Sequence, residues 1–364
     1  MRQTVFENGL RFLSASGVGR ALSPLTRGCG AILMFHHVRP ARTRGFQPNA
    51  HLEITPDFLE FVVKRTREKG YDIVHLDEAI DLLKAGHARK RYAVLTFDDG
   101  YRDNLEIVYP MLRRMDAPFT VFATSGLIDR TSELWWAALE QVIDGAQTLT
   151  FSHAGIRMDF PCRSLAEKQA CFLGLVNRLT LEIPEEDQRG IIRLLCERYG
   201  VDLDALADQL MMTWDELRAL SREPLVTIGA HTHDHLALAR LSEERAKADI
   251  TRGMERLETE LGARPRHFAY PYGKEDAVSD RDAAFLASIG FASAVTTSPG
   301  VLTSACARDL MRLPRVSING QFQTAEYFEQ YLTGVPFALF GAARWVASGF
   351  GIRSRVSRPA PSTR

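Results

Sequence analysis

Two adjacent carboxylates, Asp98 and Asp99, close the stretch Thr96-Phe97-Asp98-Asp99-Gly100, which follows the apolar run Tyr92-Ala93-Val94-Leu95. In a regular strand, neighbouring side chains point to opposite faces, so both acids could not serve one site. At a strand end next to glycine the backbone can bend and bring both to one cavity. One carboxylate could then hold a metal ion while its neighbour moves a proton. An ordinary Asp-Gly turn would read the same on these five residues alone. Further on, the run Val226-Thr227-Ile228-Gly229-Ala230 leads into His231-Thr232-His233-Asp234-His235, so three of the ten histidines fall within five residues. Packing is a poor explanation for such a cluster. Two imidazoles and one carboxylate around a divalent ion leave a coordination position open, the mark of a catalytic site. A third stretch, His267-Phe268-Ala269-Tyr270-Pro271-Tyr272-Gly273, is again an apolar run ending in turn residues. Its aromatics could line a sugar-sized cleft.

In this order the three stretches resemble the polysaccharide deacetylase family, the carbohydrate esterases built on the NodB homology domain. Thr96 to Gly100 match its first motif, His231, Thr232 and His235 its second, and Pro271-Tyr272-Gly273 its third. The ordered set is far more specific than any member of it. The resemblance implies Asp98 as general base, and Asp99, His231 and His235 as ligands of one divalent ion, with zinc the usual ion. Thr232 would orient one imidazole. The ion would polarise an acetamide carbonyl and the attacking water, whose proton Asp98 takes. The backbone N–H of Tyr101 would steady the oxyanion, and Pro271 and Tyr272 would border the substrate. His233 stays open as an alternative to His235, because residues 231 and 233 share a face if the strand continues.

The chain departs from the common family pattern twice. The arginine that usually holds the base has its place taken by Ala269, so Arg312 or Arg315, in Arg312-Leu313-Pro314-Arg315-Val316, is expected to supply the charge instead. No histidine follows His267, which excludes a general acid from a late strand. In another, permuted branch the acid lies in an early strand ending aromatic-His-x-Val. Ile32-Leu33-Met34-Phe35-His36-His37-Val38 has that form, which makes His36 the candidate acid and His37 the second choice.

These residues need strands to carry them. Likely positions, 31–38, 72–76, 93–98, 119–124, 226–231, 267–271, 292–297 and 313–318, alternate with helical patterns at 56–69, 77–86, 104–115, 241–262 and 279–289. Repeated β-then-α order argues for parallel strands with crossover helices. The resemblance selects a distorted, incomplete (β/α) barrel, in which such residues sit at the C-terminal strand ends. The catalytic domain is expected over 31–320, interrupted at about 127–222 by a helical insertion with a hairpin near 148–160 and helices at 164–181, 184–199 and 203–222. Trp135 and Trp136 in it could stack on sugars or anchor the insert.

Lys+Arg and Asp+Glu are equal at 45 each in 364 residues, so overall charge does not point to nucleic acid. Five scattered cysteines suit reduced thiols, and the apolar stretch Val5–Leu13 is broken by Glu7, Asn8 and Arg11, which predicts a cytoplasmic protein. The ends differ from the rest. Residues 1–30 hold four arginines and one acid, and no acid follows Glu329, while five arginines and Phe337, Phe340, Trp345 and Phe350 do. That C-terminal segment (321–364) is read as a helix and a disordered basic tail, with peripheral membrane contact as the alternative. The expected activity is N-deacetylation of a polysaccharide, oligosaccharide or lipid-linked glycan precursor. A related amidohydrolase for a non-sugar amide or cyclic imide, or a non-catalytic carbohydrate-binding protein, are the alternatives.

Overall fold

Short apolar runs bounded by turn residues become the strands, as their β-branched and aromatic content favours. The computed structural model describes residues 2–43, 45–86 and 90–349. Its strands are β1 (Gly30–Phe35), β2 (His37–Val38), β3 (Glu53–Ile54), β4 (Tyr71–Ile73), β5 (Arg91–Asp99) and β6 (Phe119–Ala123). They continue with β7 (Thr148–His153), β8 (Ile156–Pro161), β9 (Val226–Ala230), β10 (His267–Ala269), β11 (Ser293–Pro299) and β12 (Leu313–Ser317). Seven of them close a parallel barrel in the order β1-β12-β11-β10-β9-β6-β5, with β5 returning to β1 from Gly30↔Tyr92 to Phe35↔Phe97. β4 pairs with the first residues of β5, ahead of the point where β6 begins at Leu95↔Phe119. The barrel is distorted at two seams. β9 and β10 share one register pair, Phe268↔Ala230, and β11 slips against β12 between Val295 and Pro299.

Alternation along the strands sorts the side chains. Tyr92 and Val94 of β5 join Ile32, Ala269, Val295 and Leu313 in one buried cluster, while Ala93, Leu95 and Phe97 pack in another with residues of the surrounding helices. Asp98 therefore falls on the same side as Val94, and Arg315 on the same side as Leu313. The helix Pro56–Glu68 shows how the outer layer forms. Pro56 presets its first turn, Thr55 Oγ1 accepts the Phe58 N–H at 3.3 Å, and Phe58, Leu59, Val62, Val63 and Thr66 bury one face.

Between β6 and β9 lie the helices Trp135–Gly145, Leu165–Asn177, Glu185–Tyr199, Leu203–Leu210 and Trp214–Ser221, and the β7–β8 hairpin. Leu139, Leu149, Phe172, Leu175 and Leu195 give the hairpin and all but the last of these helices a core of their own, whereas Leu217 and Leu220 of Trp214–Ser221 pack with the barrel. The single helix expected over 203–222 is two. Met211 leaves the helix to bridge Tyr101, and Thr213 starts a new one with a reciprocal cap to Glu216. The strand expected over 31–38 also breaks, because β2 turns away to pair with β3 and leaves His36 between the two. At the chain ends, helices Arg2–Ala15 and Val18–Thr26 pack on Ala325–Thr333, and Val335–Gly349 follows. The expected tail at 350–364 lies outside the described residues.

Candidate active site

Asp98, Asp99, His231 and His235 are all buried and meet at the C-terminal ends of β5 and β9. The bend anticipated after Phe97 is present. Asp99 has φ +75° and Gly100 φ +90°, so the pleat ends at Asp98 and both acids face one site. His231 Nε2 lies 3.4 Å and His235 Nε2 3.3 Å from Asp99 Oδ1. One donor atom from each of these three residues falls within 4.8 Å of the others.

The donor chemistry of this trio fits a cation. His231 Nδ1–H donates to the Ala269 carbonyl at 2.7 Å, which leaves Nε2 as a lone pair aimed at a carboxylate oxygen. Asp99 Oδ1 is buried without a hydrogen-bond partner, and so is His235 Nδ1. Lone pairs facing each other in a dry site need a proton or a metal ion between them. Burial raises the Asp99 pKa, but the two imidazoles outweigh it and hold the carboxyl well below the usual range. Burial pushes His235 down, whereas the carboxylates lift His231 despite its burial.

β9 ends at Ala230, and the chain beyond it brings His235, not His233, to Asp99. Thr232 has φ +62° and His235 φ +54°, so the chain turns and the alternation that would pair 231 with 233 is lost. His233 points elsewhere, with Nδ1 2.8 Å from Ser125 Oγ and Nε2 3.4 Å from Thr131 Oγ1. Thr232 departs from expectation. Its hydroxyl accepts the His235 backbone N–H at 3.0 Å and so fixes the turn, while the imidazole of His231 is oriented by Ala269 O.

Arg315 forms two parallel hydrogen bonds to Asp98, 2.7 Å to Oδ1 and 2.6 Å to Oδ2. Its Nε donates to Thr296 O at 2.8 Å, and the whole side chain is buried. Ala269, where the resemblance expects an arginine, is buried in the same cluster as Leu313, two residues before Arg315. Burial raises the Asp98 pKa, and the guanidinium more than reverses this. Arg312 is not part of the site; it pairs with Asp280 and Asp309 at 2.6 and 2.9 Å.

A family model described as polysaccharide deacetylase matches residues 85–164 and 191–290. The chain belongs to the polysaccharide deacetylase family. It is 22% identical over 270 residues to the poly-beta-1,6-N-acetyl-D-glucosamine N-deacetylases of Escherichia coli K12 and O157:H7, covering 73% of this chain and 34% of each of theirs. The chain thus matches about a third of the length of these curated relatives. Among solved structures, the Streptococcus pyogenes deacetylase PplD in complex with acetate is 18% identical with a TM-score of 0.56, over 83% of this chain and 97% of that one. IcaB from Ammonifex degensii is also 18% identical, with a TM-score of 0.52 over 85% and 97%. These likenesses show the fold.

Within this family fold, the remaining expected residues surround the trio. The charges of Asp98 and Asp99 act on His36, but burial dominates and brings its pKa down to about 4. His37, the second choice for the acid, is instead bound through Nδ1 to Asp103 at 2.6 Å and stacks on Tyr101. Tyr101 bridges Met211 in a register that uses the N–H groups of Arg102 and Met212, and its own N–H donates to no group among the described residues. Tyr272 has φ +60°, lies beside His235 with ring centroids 5.2 Å apart, and follows the buried Pro271. Trp135 Nε1–H donates to the Tyr272 hydroxyl at 3.0 Å and Trp136 Nε1–H to the Tyr101 hydroxyl at 3.1 Å. Both tryptophans are buried, so they lock the insertion onto the rim, as anchors rather than as exposed sugar platforms.

Two residues were not foreseen. Arg189, from the insertion, donates to the carbonyls of Asp234 and His235 at 3.1 and 3.2 Å. Asp249 accepts the Asp234 N–H at 2.8 Å. Nothing in Glu185–Tyr199 sets Arg189 apart from a solvated arginine. Asp249 does carry a signal: Ala246, Asp249, Ile250 and Gly253 fall on one helical stripe, where an acid needs a buried partner.

Proposed function

We propose that the protein is a hydrolase that removes N-acetyl groups from the amino sugars of a glycan, with residues 31–320 as the catalytic unit and 127–222 as an insertion. The observation that carries this reading is the pairing of a buried, arginine-held carboxylate, Asp98, with the Asp99–His231–His235 trio at the same strand ends. The names of the Escherichia coli relatives, which are glycan N-deacetylases, support the substrate class.

Asp99, His231 and His235 would hold one divalent ion, for which we propose zinc. Bound there, it supplies a Lewis acid for the acetamide carbonyl and for water. Asp98 accepts the proton of the attacking water; both its oxygens keep a lone pair beside the Arg315 bonds. Arg315 keeps that carboxylate ionised and aimed into the site. The Tyr101 N–H is available to the oxyanion as the carbonyl carbon becomes tetrahedral. His36 delivers a proton to the departing nitrogen, so that acetate and a free amine leave. Its low pKa keeps the ring neutral at rest, so the proton it delivers would be the one Asp98 takes from water, passed on as the negative tetrahedral species favours the charged ring and leaving Asp98 ionised again. The five cysteines are unpaired thiols, which supports a reducing, cytoplasmic location. There a lipid-linked or oligosaccharide precursor fits better than a finished polymer.

The test is acetate release from a panel of N-acetylated glycans, lipid-linked oligosaccharides and simple amides, comparing wild type with Asp98→Asn and His231→Ala. Release from one sugar class, lost in both variants, supports the reading. Release from simple amides alone would replace it with a non-sugar amidohydrolase.

A further inference from the structure

The helix Val18–Thr26 is seated with its apolar side out. Val18, Leu22 and Leu25 recur at the spacing of one helical face and are exposed, Leu25 to 85%. Its opposite side, with Arg20 and Ser23, lines a cavity of about 280 Å³ together with Arg27 at its C-terminal cap. Amphipathic helices of water-facing surfaces have the reverse arrangement. The exposed apolar area extends beyond this helix. Phe12, on Arg2–Ala15, is 66% exposed, and Leu339 and Phe340, on Val335–Gly349, are 54% and 47% exposed. All three helices pack together, directly or through Ala325–Thr333. Exposed apolar side chains on three helices that pack together mark a surface that something covers.

The surrounding charge selects the occupant. The cavity under the helix also has Lys69 and Arg91 in its wall, and Glu329 is its only acid. Glu329 is already engaged by Lys69 at 2.9 Å and by Arg65 at 2.5 Å. Arg20 and Arg27 are engaged by no acid in the cavity wall, and Arg91 Nε is buried without a hydrogen-bond partner. These charges lie about one helix diameter, ~10 Å, from the apolar stripe, comparable to the screening length of ~8–10 Å in physiological salt. The sequence beyond Gly349 adds four arginines and no acid. Exposed apolar side chains beside a cavity wall in which four cations outnumber one acid match the interface of a bilayer bearing negative headgroups. Among the described residues no helix is long and apolar enough to cross a membrane.

We propose that helices Arg2–Ala15, Val18–Thr26 and the start of Val335–Gly349 dock onto an anionic phospholipid surface. Lys69, Tyr71 and Arg91 belong to the entry ends of β4 and β5, whereas Asp98 and Asp99 close β5. At ~3.3 Å per residue the docked face is roughly 25 Å from the catalytic carboxylates, so docking leaves the site facing away from the bilayer. The proposal stands whatever glycan is cut.

The full chain would be sedimented with vesicles of phosphatidylcholine alone and of phosphatidylcholine with phosphatidylglycerol. We expect binding to the anionic vesicles, at least ten-fold stronger than to neutral ones and weakened by salt. Leu22→Asp with Leu25→Asp should abolish it. Arg20→Gln and Arg27→Gln should each weaken it about five-fold. Both sets lie on exposed or cavity-lining positions, and their circular dichroism and melting point would establish that they fold. Equal affinity for neutral vesicles, or anionic binding untouched by these variants, overturns the proposal. So does a dimer in sedimentation velocity that Leu22→Asp with Leu25→Asp dissociates, which would assign the face to a second copy. Inorganic phosphate raising the melting point, in the absence of vesicle binding, would reassign the arginines to a soluble anion and overturn it as well.

Discussion

Arg315 grips both oxygens of Asp98, at 2.7 and 2.6 Å, across 217 residues of chain. The pair is wholly buried, so each partner depends on the other. Arg315→Met leaves an unpaired buried carboxylate, which typically costs ~3–5 kcal/mol. Burial then dominates and raises the Asp98 pKa. The base would therefore be lost at a higher pH than in wild type as pH falls, moving the acid limb of the rate profile upward. Denaturant unfolding and pH–rate profiles of Arg315→Met and Arg315→Lys check both effects. An unshifted acid limb in a folded Arg315→Met protein would falsify the assignment of Asp98 as the base.

The proposed metal site makes a sharper distinction, between two histidines that lie two residues apart in sequence but have different partners. His235→Ala should lose the ion, read by elemental analysis, and with it activity. His233→Ala should keep one ion per chain and lose only the stability of its bond to Ser125, ~1 kcal/mol. Equal loss of metal in both variants would return His233 to the ligand set.

The strands and both acids were legible because β5 is a continuous apolar run, buried on both faces and followed by a glycine, a local pattern. The resemblance favoured His235 over His233, but the residues alone left both open, because the difference depends on positive φ at Thr232 and His235, and neither residue type announces that. Arg315 was one of two candidates. Parity with the buried Leu313 separates it from Arg312, but only once β12 is known to line the barrel. The split at Met211 was missed because its cause, a bridge to Tyr101, is distant in sequence. Arg189 was missed for the same reason: its acceptors are main-chain carbonyls, which leave no trace in composition.

His36 should matter only when the leaving group needs a proton. His36→Ala is expected to slow release from an N-acetyl amide by ~10²–10⁴-fold. It should leave hydrolysis of an activated acetate ester, such as a nitrophenyl ester, within a few-fold of wild type. His37→Ala removes the Asp103 contact and the stacking on Tyr101, so it should lower stability and affect both substrates alike. A parallel loss on amide and ester in His36→Ala would point to a structural role instead.

Asp249 offers a test through stability. Burial and the charge of Asp234 raise its pKa to about 6, above an ordinary value near 3.8. A raised folded-state pKa favours the protonated form, so its stabilising contribution is whole below about pH 4 and is lost as pH climbs through about 6. Two units correspond to ~3 kcal/mol, of which ~1.4 kcal/mol falls between pH 5 and 8. Asp249→Asn keeps an oxygen for the Asp234 N–H and carries no charge. Its stability relative to wild type should therefore improve by ~1 kcal/mol from pH 5 to pH 8, measured by urea unfolding in the presence of chelator. Asp249→Ala removes the acceptor as well, so the turn that carries His235 should loosen and metal affinity fall at every pH. If Asp249→Asn tracked wild type in parallel across that range, the acid would be ionised in the fold throughout, held by the Asp234 N–H and Arg245.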